Sequence, residues 1–425
     1  MSFNRLLQCI QTRTLDANEL IISKLGFDTK ELVSFLNHHP EKIYLTIHKL
    51  HIDPTLINVL CTGYLRTLHL DRCQLGDHGA TIIANALGHT RLIWLDLSEN
   101  QIGDKGAVAL GNALSYYNGR LETLILFSNQ IGRIGATALA NALLSNTHLI
   151  YLNLTSNQIG TEGAKAFADT LPYNTHLKRL FLADNQMGDA GIIALVTAIR
   201  YNIELILVMN QISDTGIIAL AHALQYHIPL THLSVGENIP VVSDRAMTIF
   251  ARALRNNNSL AYLDFLFPIT EQVACALANA LQKNNHLKRL HVTTISDSGI
   301  NAIADTQIKN TSLTYLWIED TRANDRVMLQ RIKNMCNKNS KIREMIAFIG
   351  STHECIPIEL IERILQYVFK NQNEKTVSRF VAQAYSGFDK IKSNRNSFFA
   401  QIESSQPRNE STYPSIHAPT NILMK

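Results

Sequence analysis

The chain is poor in the residues and patterns that specialised chemistry needs. Its six cysteines (Cys9, Cys61, Cys73, Cys275, Cys336 and Cys355) are scattered, with no CxxC pair. That spacing argues against a disulfide framework or a zinc site and for a reducing compartment. Aromatic residues make up 7% of the 425 positions, and only two are tryptophan. No run approaches 18 uncharged apolar residues, so no membrane-spanning helix is expected. The first twenty residues lack the apolar core and small-residue cleavage site of a secretory signal. The GxxxxGK[ST], HExxH, GxSxG and kinase signatures are all missing. His38, His39, His48 and His51 cluster without cysteine or acidic ligands at matching spacing, and are expected as exposed histidines rather than metal ligands. Neither sign of charge dominates: 39 Lys and Arg stand against 35 Asp and Glu, mixed along the chain. Such a balance excludes the strongly basic field of a nucleic-acid-binding protein. The expectation is a cytoplasmic monomer with no catalytic residue, cofactor or metal, and with neither nucleic acid nor a membrane as partner.

What is present is repetition. "LDLSENQIGDKGAVALGNAL" at 95–114 returns with small changes at 124–143, 152–171, 180–199 and 205–224. Each unit opens LxxLxLxxN, as in Leu92, Leu95, Leu97 and Asn100, then Leu121, Leu124, Leu126 and Asn129. Alternation at period 2 predicts a short strand with Leu95 and Leu97 turned inward. After the glycine the period changes: Ala107, Leu110, Gly111 and Leu114 fall at i, i+3, i+4 and i+7, one stripe of a helix. Neither half can bury its apolar side alone, so the units must stack. With the second leucine as marker, ten units start at Leu68, Leu95, Leu124, Leu152, Leu180, Leu205, Leu233, Leu263, Leu290 and Leu316.

Strands pack about 4.8 Å apart and helices about 8–10 Å apart, so the stack must curve with strands inside. The predicted fold is an α/β solenoid, a horseshoe with a parallel concave sheet and convex helices. The repeating asparagines, Asn100, Asn129, Asn157, Asn185, Asn210 and Asn238, are expected to hold backbone groups in the turns. At Pro268, Ile295 and Thr321 that ladder lapses, so later turns must close differently and the C-terminal half should be less regular. Residues 1–60 are read as an N-terminal cap with a degenerate strand at Leu45 and Ile47, and 61–350 as the solenoid. A last helix and strand in 324–348 close it, followed by a helical region at 353–402 and a flexible polar tail at 403–425.

If the leucines build the frame, the residues between them are left for function. The candidate partner-binding residues on the concave face are Trp94, Asp96, Phe127, Tyr151, Asn153, Arg179, Phe181 and Glu204. His232, Tyr262, Asp264, Arg289, His291, Tyr315, Trp317 and Glu319 continue the series. Both tryptophans fall here, and Trp, Tyr and Arg are the usual anchors of protein interfaces.

The repeat, LxxLxLxxNxIGxxGAxALAxAL, resembles the ribonuclease-inhibitor type of leucine-rich repeat over roughly residues 60–340. It is similar to the leucine-rich-repeat effectors that intracellular bacterial pathogens deliver into host cells. That resemblance implies a non-enzymatic module binding or inhibiting a protein on its concave face in the host cytosol, with the tail as a delivery signal. None of the six cysteines is followed two places later by Asp, unlike the catalytic CxD of the ubiquitin ligases in that group. Residues 355–369 resemble the opening of an F-box through Pro357, Glu359, Leu360, Ile364, Leu365 and Tyr367. That resemblance implies a substrate adaptor, with a ubiquitin-ligase scaffold subunit bound by 355–395. A helix packed on the end of the solenoid gives the same stripe.

Overall fold

The chain divides into two units, Met1–Thr352 and His353–Lys425. The computed structural model describes residues 19–22, 44–48, 52, 57, 60–61, 65–116, 120–226, 228–236 and 241–295; beyond these it describes 298–299, 302–303, 310, 312–313 and 315–320. The expected cap helix within 27–43, Asn238, the closing elements at 324–348, the helical region 353–402 with its F-box-like segment, and the tail lie outside the described residues.

Among the described residues, twelve parallel strands form one sheet in strict sequence order. They are β1 Glu19–Ile22, β2 Tyr44–Ile47, β3 Thr67–His69, β4 Trp94–Asp96, β5 Thr123–Ile125, β6 Tyr151–Asn153, β7 Arg179–Phe181, β8 Ile203–Ile206, β9 Leu230–Gly236, β10 Tyr262–Leu266, β11 Arg289–Thr294 and β12 Tyr315–Asp320. Eight helices of four turns or fewer alternate with β3–β11: α1 Gly76–Ala86, α2 Asp104–Tyr116, α3 Arg133–Ala142, α4 Gly160–Thr170, α5 Gly188–Ala198, α6 Asp214–Gln225, α7 Asp244–Ala253 and α8 Glu271–Leu281. The ten leucine markers fall on β3–β12, and the degenerate strand at Leu45 and Ile47 is β2. β1 carries no LxxLxL frame and was not anticipated. The register joins marker to marker: Leu68 to Leu95, Leu95 to Leu124, and so on to Leu290 and Leu316.

Helix stripe and strand leucines meet in one continuous core. Leu95, Leu97, Ala107 and Leu110 are fully buried, and the same set recurs as Leu124, Leu126, Ala136 and Leu139. Gly111 sits where α2 meets α3, and a Cβ there would come within 2.8 Å of the Ala138 carbonyl, so only glycine permits this close approach.

Three polar ladders stitch unit to unit, of which the sequence pattern revealed one. In the first, Asn129 Oδ1 accepts from the Asn100 and Ile102 amides of the preceding unit at 3.0 and 2.9 Å, while its Nδ2 donates to Leu97 and Leu126 carbonyls at 3.0 and 3.1 Å. Asn100, Asn157, Asn185 and Asn210 repeat the arrangement. These asparagines sit among non-glycine residues at positive φ, such as Glu99, Gln101, Asp184 and Gln186. That region costs roughly 1–2 kcal/mol per residue, which the saturated amide offsets.

The second ladder lies at the other end of the unit, where Asn146, Asn174, Asn257, Asn284 and Asn310 precede the strands. Asn284 Nδ2 donates to the Asn257 carbonyl at 3.0 Å and to the Leu254 carbonyl, and its Oδ1 accepts from His286 and Leu287 amides at 2.9 and 2.7 Å. This ladder continues through the C-terminal half, beyond Asn210, the last described member of the first.

In the third ladder, an aspartate in the first turn of one helix caps the next. Asp77 Oδ1 accepts from Gly103 and Gly106 amides at 2.7 and 2.8 Å, and Asp104 Oδ1 from Gly132 and Gly135 at 2.9 and 2.7 Å. Asp189 and Asp214 do the same for Ser213 and Ser243. A carboxylate beside a helix N-terminus also meets favourable partial charge there.

The expected change in the C-terminal half takes a specific form. No positive-φ non-glycine residue occurs beyond Gln211 among the described residues. There the strands lengthen from the three residues of β3–β7 to five or more in β9–β12. After β10, where Pro268 takes the asparagine position, pairing with the next unit runs on and an extra bridge joins Ile269 to Ile295. Replacing Asn129 with Ala leaves two amides and a carbonyl without partners in the core and should cost about 3 kcal/mol, and Asn284→Ala should cost about as much. Urea unfolding followed by circular dichroism checks both, and a negligible loss for Asn284→Ala would show that the second ladder is dispensable.

Candidate functional site

Parallel pairing in exact order sets the residues between the inward leucines into rows across the sheet. One row runs Thr67, Trp94, Thr123, Tyr151, Arg179, Glu204, His232, Tyr262 and Arg289, each paired with the next. A second runs His69, Asp96, Ile125, Asn153, Phe181, Ile206, Ser234, Asp264 and His291. Tyr315 and Trp317 hold the corresponding register positions on β12, and Glu319 is two further along.

The structure brings these candidates into three groups. At the N-terminal end, His69 Nδ1 lies 3.4 Å from Asp96 Oδ2, and the His69 and Trp94 ring centres are 6.0 Å apart. Asp96 Oδ1 also accepts from the Ser98 amide at 3.0 Å and its hydroxyl at 2.5 Å. The Trp94 indole Nε1 is covered and has no hydrogen-bond partner, so the exposed part of Trp94 is apolar ring and not the donor. His48 is not the exposed histidine expected from the sequence: it is half-buried and pairs with Asp71. The signal was available, because His48 stands three residues after Leu45 just as Asp71 stands three after Leu68. Next to it, Arg72 Nε donates to Glu99 Oε2 at 2.6 Å.

The middle is apolar and partly closed. Tyr151 and Phe181 meet edge to face at 5.0 Å, and Phe181 retains only 6% of its surface. Burial pushes the Tyr151 hydroxyl up to about 12. Asn153 is 7% exposed and its Oδ1 is occupied by the Thr155 amide at 2.9 Å. Phe181 and Asn153 therefore shape the floor, whereas Phe127, Ile125 and Ile206 keep partial exposure.

At the C-terminal end five side chains on successive strands β7–β11 touch in a chain. Arg179 Nε is 3.1 Å from Glu204 Oε2, and Glu204 Oε1 is 3.5 Å from His232 Nδ1. The His232 ring stacks on Tyr262 at 3.7 Å and 9°, and the Arg289 guanidinium lies 4.9 Å over the same Tyr262 ring. Alongside, His291 Nδ1 lies 3.6 Å from Asp264 Oδ1. Burial depresses His232 to about 4, with Arg289 and Arg179 pushing the same way and Asp264 opposing. His232 is thus neutral at neutral pH, which suits an imidazole stacked face to face on the Tyr262 ring.

No cluster of three or more His, Cys, Asp or Glu side chains suited to a metal ion occurs among the described residues. No helix among them is long and apolar enough to cross a membrane. Chemically, the face has an apolar middle between two ends whose polar and charged groups find partners within the protein itself.

Six segments, residues 64–84, 94–111, 120–140, 145–168, 173–196 and 203–221, match the Leucine Rich repeat family. No curated protein matches the chain. Among solved structures, the crystal structure of the yeast Rad7 and Elc1 complex is 17% identical, with 73% of this chain and 81% of that one covered and a TM-score of 0.48. Leiomodin-1 actin-binding site 2 is 18% identical, with 38% of this chain and 95% of that one covered and a TM-score of 0.29.

The depressed His232 makes stability depend on pH. An unfolded chain protonates this histidine below about 6.5, the folded one only below about 4. Between those values the unfolded state binds more protons, so stability falls as the pH falls. Relative to His232→Gln, the wild type should lose about 2 kcal/mol between pH 7 and pH 5. Parallel denaturation curves for the two proteins at both pH values measure it, and equal losses would mean that His232 titrates normally in the fold.

Proposed function

We propose that this leucine-rich-repeat solenoid is a non-enzymatic interaction module that grips a folded protein partner on its concave face. The observation that carries this reading is the unbroken set of side-chain rows across β3–β11, with an apolar middle between two polar ends. Partially exposed Phe127, Ile125 and Ile206 supply area that a partner can desolvate, and Trp94 and Tyr262 supply flat rings at either side. The polar pairs at the ends, Asp96 with His69 and Glu204 with Arg179, contribute little stability of their own at a partly exposed surface. They set which partner groups are tolerated: an unmatched charge brought against them would lose water without gaining a counter-ion. A concave surface spanning several units can cover a partner's active site, so inhibition is the mechanism such a face suits best. The repeat type and the polar stretch 403–425 support the finer reading of a bacterial effector acting in a host cytosol.

Affinity capture from eukaryotic lysate tests the proposal with three baits: the full chain, residues 1–352, and the full chain carrying Trp94→Ala, Phe127→Ala and Tyr262→Ala. One protein should be retained by the first two and lost with the third. A ligase scaffold subunit retained only when 353–425 is present would instead identify an adaptor. Retention that ignores the triple substitution would move the binding face elsewhere.

A further inference from the structure

Every unit sends its strand-to-helix turn to one rim of the solenoid and its helix-to-strand loop to the other, so charges mixed along the sequence become sorted in space. On the first rim, the turns and first helical turns of the described units hold ten acids, among them Asp77, Asp104 and Asp189, against four lysines or arginines. On the second rim, the last helical turns and following loops hold eight lysines or arginines against two acids, Asp169 and Glu122. The basic set includes Arg91, Arg120, Arg200, Arg255 and Lys283, all exposed.

Helix dipoles account for part of this sorting. Eight parallel helices place about half a negative charge each on the second rim, roughly four in total, and cations there are favoured. Arg200 does cap its helix end, donating to the Thr197 carbonyl at 2.7 Å.

Dipoles do not account for the apolar side chains on the same rim. Ten large apolar residues are exposed among the described residues, and six of them stand here: Tyr116 at 83%, Leu144 at 56%, Ile150 at 40%, Tyr173 at 74%, Tyr201 at 43% and Tyr226 at 83%. They recur in five consecutive units, those of α2 to α6, beside Arg120, Lys178 and Arg200, and the basic series runs on past them through Arg255 and Lys283. A soluble surface seldom repeats such exposure without a partner. Tyrosine with neighbouring lysine and arginine is the composition that lies at the boundary between lipid headgroups and water.

We propose that this basic, tyrosine-bearing rim docks edge-on to an anionic phospholipid bilayer, leaving the concave face open to its protein partner. Phosphate-bearing headgroups meet the guanidinium and ammonium groups while the tyrosines, Leu144 and Ile150 enter the headgroup layer. Single-stranded RNA is the nearest rival for a basic and aromatic surface. Leu144 and Ile150 disfavour it, because an aliphatic side chain has no ring on which a base can stack. High exposure also means that the side chains project from the loops rather than line a groove along which a strand could run.

The full chain should be sedimented with phosphatidylcholine vesicles, with and without phosphatidylserine, at low and high salt, with a short single-stranded RNA as a separate ligand. Binding should require phosphatidylserine and weaken with salt. Arg120→Gln, Arg255→Gln and Lys283→Gln should each weaken it about fivefold. Tyr116→Ala, Tyr173→Ala and Tyr226→Ala combined should weaken it about tenfold or more without changing the circular dichroism spectrum. Ile134→Ala with Met209→Ala, exposed apolar positions on the opposite rim, should change nothing. The proposal is overturned if neither vesicle is bound, if the triple tyrosine variant binds as well as the wild type, or if RNA is bound and vesicles are not.

Discussion

A primary amide that donates twice and accepts twice is the part on which the rest of this molecule depends. Tight turns between parallel strands and helices leave backbone groups that neither element can satisfy, and burying them unpaired would cost about 1–3 kcal/mol each. Asn100 and its counterparts complete those turns from within, and each does so by reaching the unit before it. Turn closure and unit stacking are therefore one event. The leucines provide most of the free energy, but they would accept several registers; the amides accept one.

The sequence made this legible unevenly, for physical reasons. Strand leucines, helix stripe and the first asparagine series were plain because buried positions tolerate few residue types, so they recur letter for letter. The second asparagine series was overlooked although Asn146, Asn174, Asn257, Asn284 and Asn310 are as buried as the first. Its members sit in loops of changing length: in the unit leading to β8 the loop is cut short at Arg200–Asn202, which breaks the visible period. The aspartates of the GD pairs looked like ordinary surface acids, since nothing in a single unit shows that their hydrogen-bond partners belong to the next one.

The concave face was harder still. Alternation tells which side a residue takes, and the rows follow from it. It cannot tell how deep a neighbour leaves it. Phe181 and Asn153 were indistinguishable from Phe127 in the pattern, yet Tyr151 roofs the first and the Thr155 amide occupies the second. Likewise, net charge described the whole chain well and its surface poorly, because a repeat with a fixed direction converts composition at two points of the unit into two distinct edges.

The ladder bonds that leave a unit reach the adjacent unit and go no further, across separations of about one repeat. Between β4 and β7 the joints are nearly interchangeable, so a unit could be duplicated or lost there by unequal recombination and the frame would close again unchanged. What would shift is the reading surface, moved by one row with all its other rows intact. The short loop before β8 marks where such editing stops being neutral, because there the spacing between leucine markers falls from 28 residues (Leu152 to Leu180) to 25 (Leu180 to Leu205).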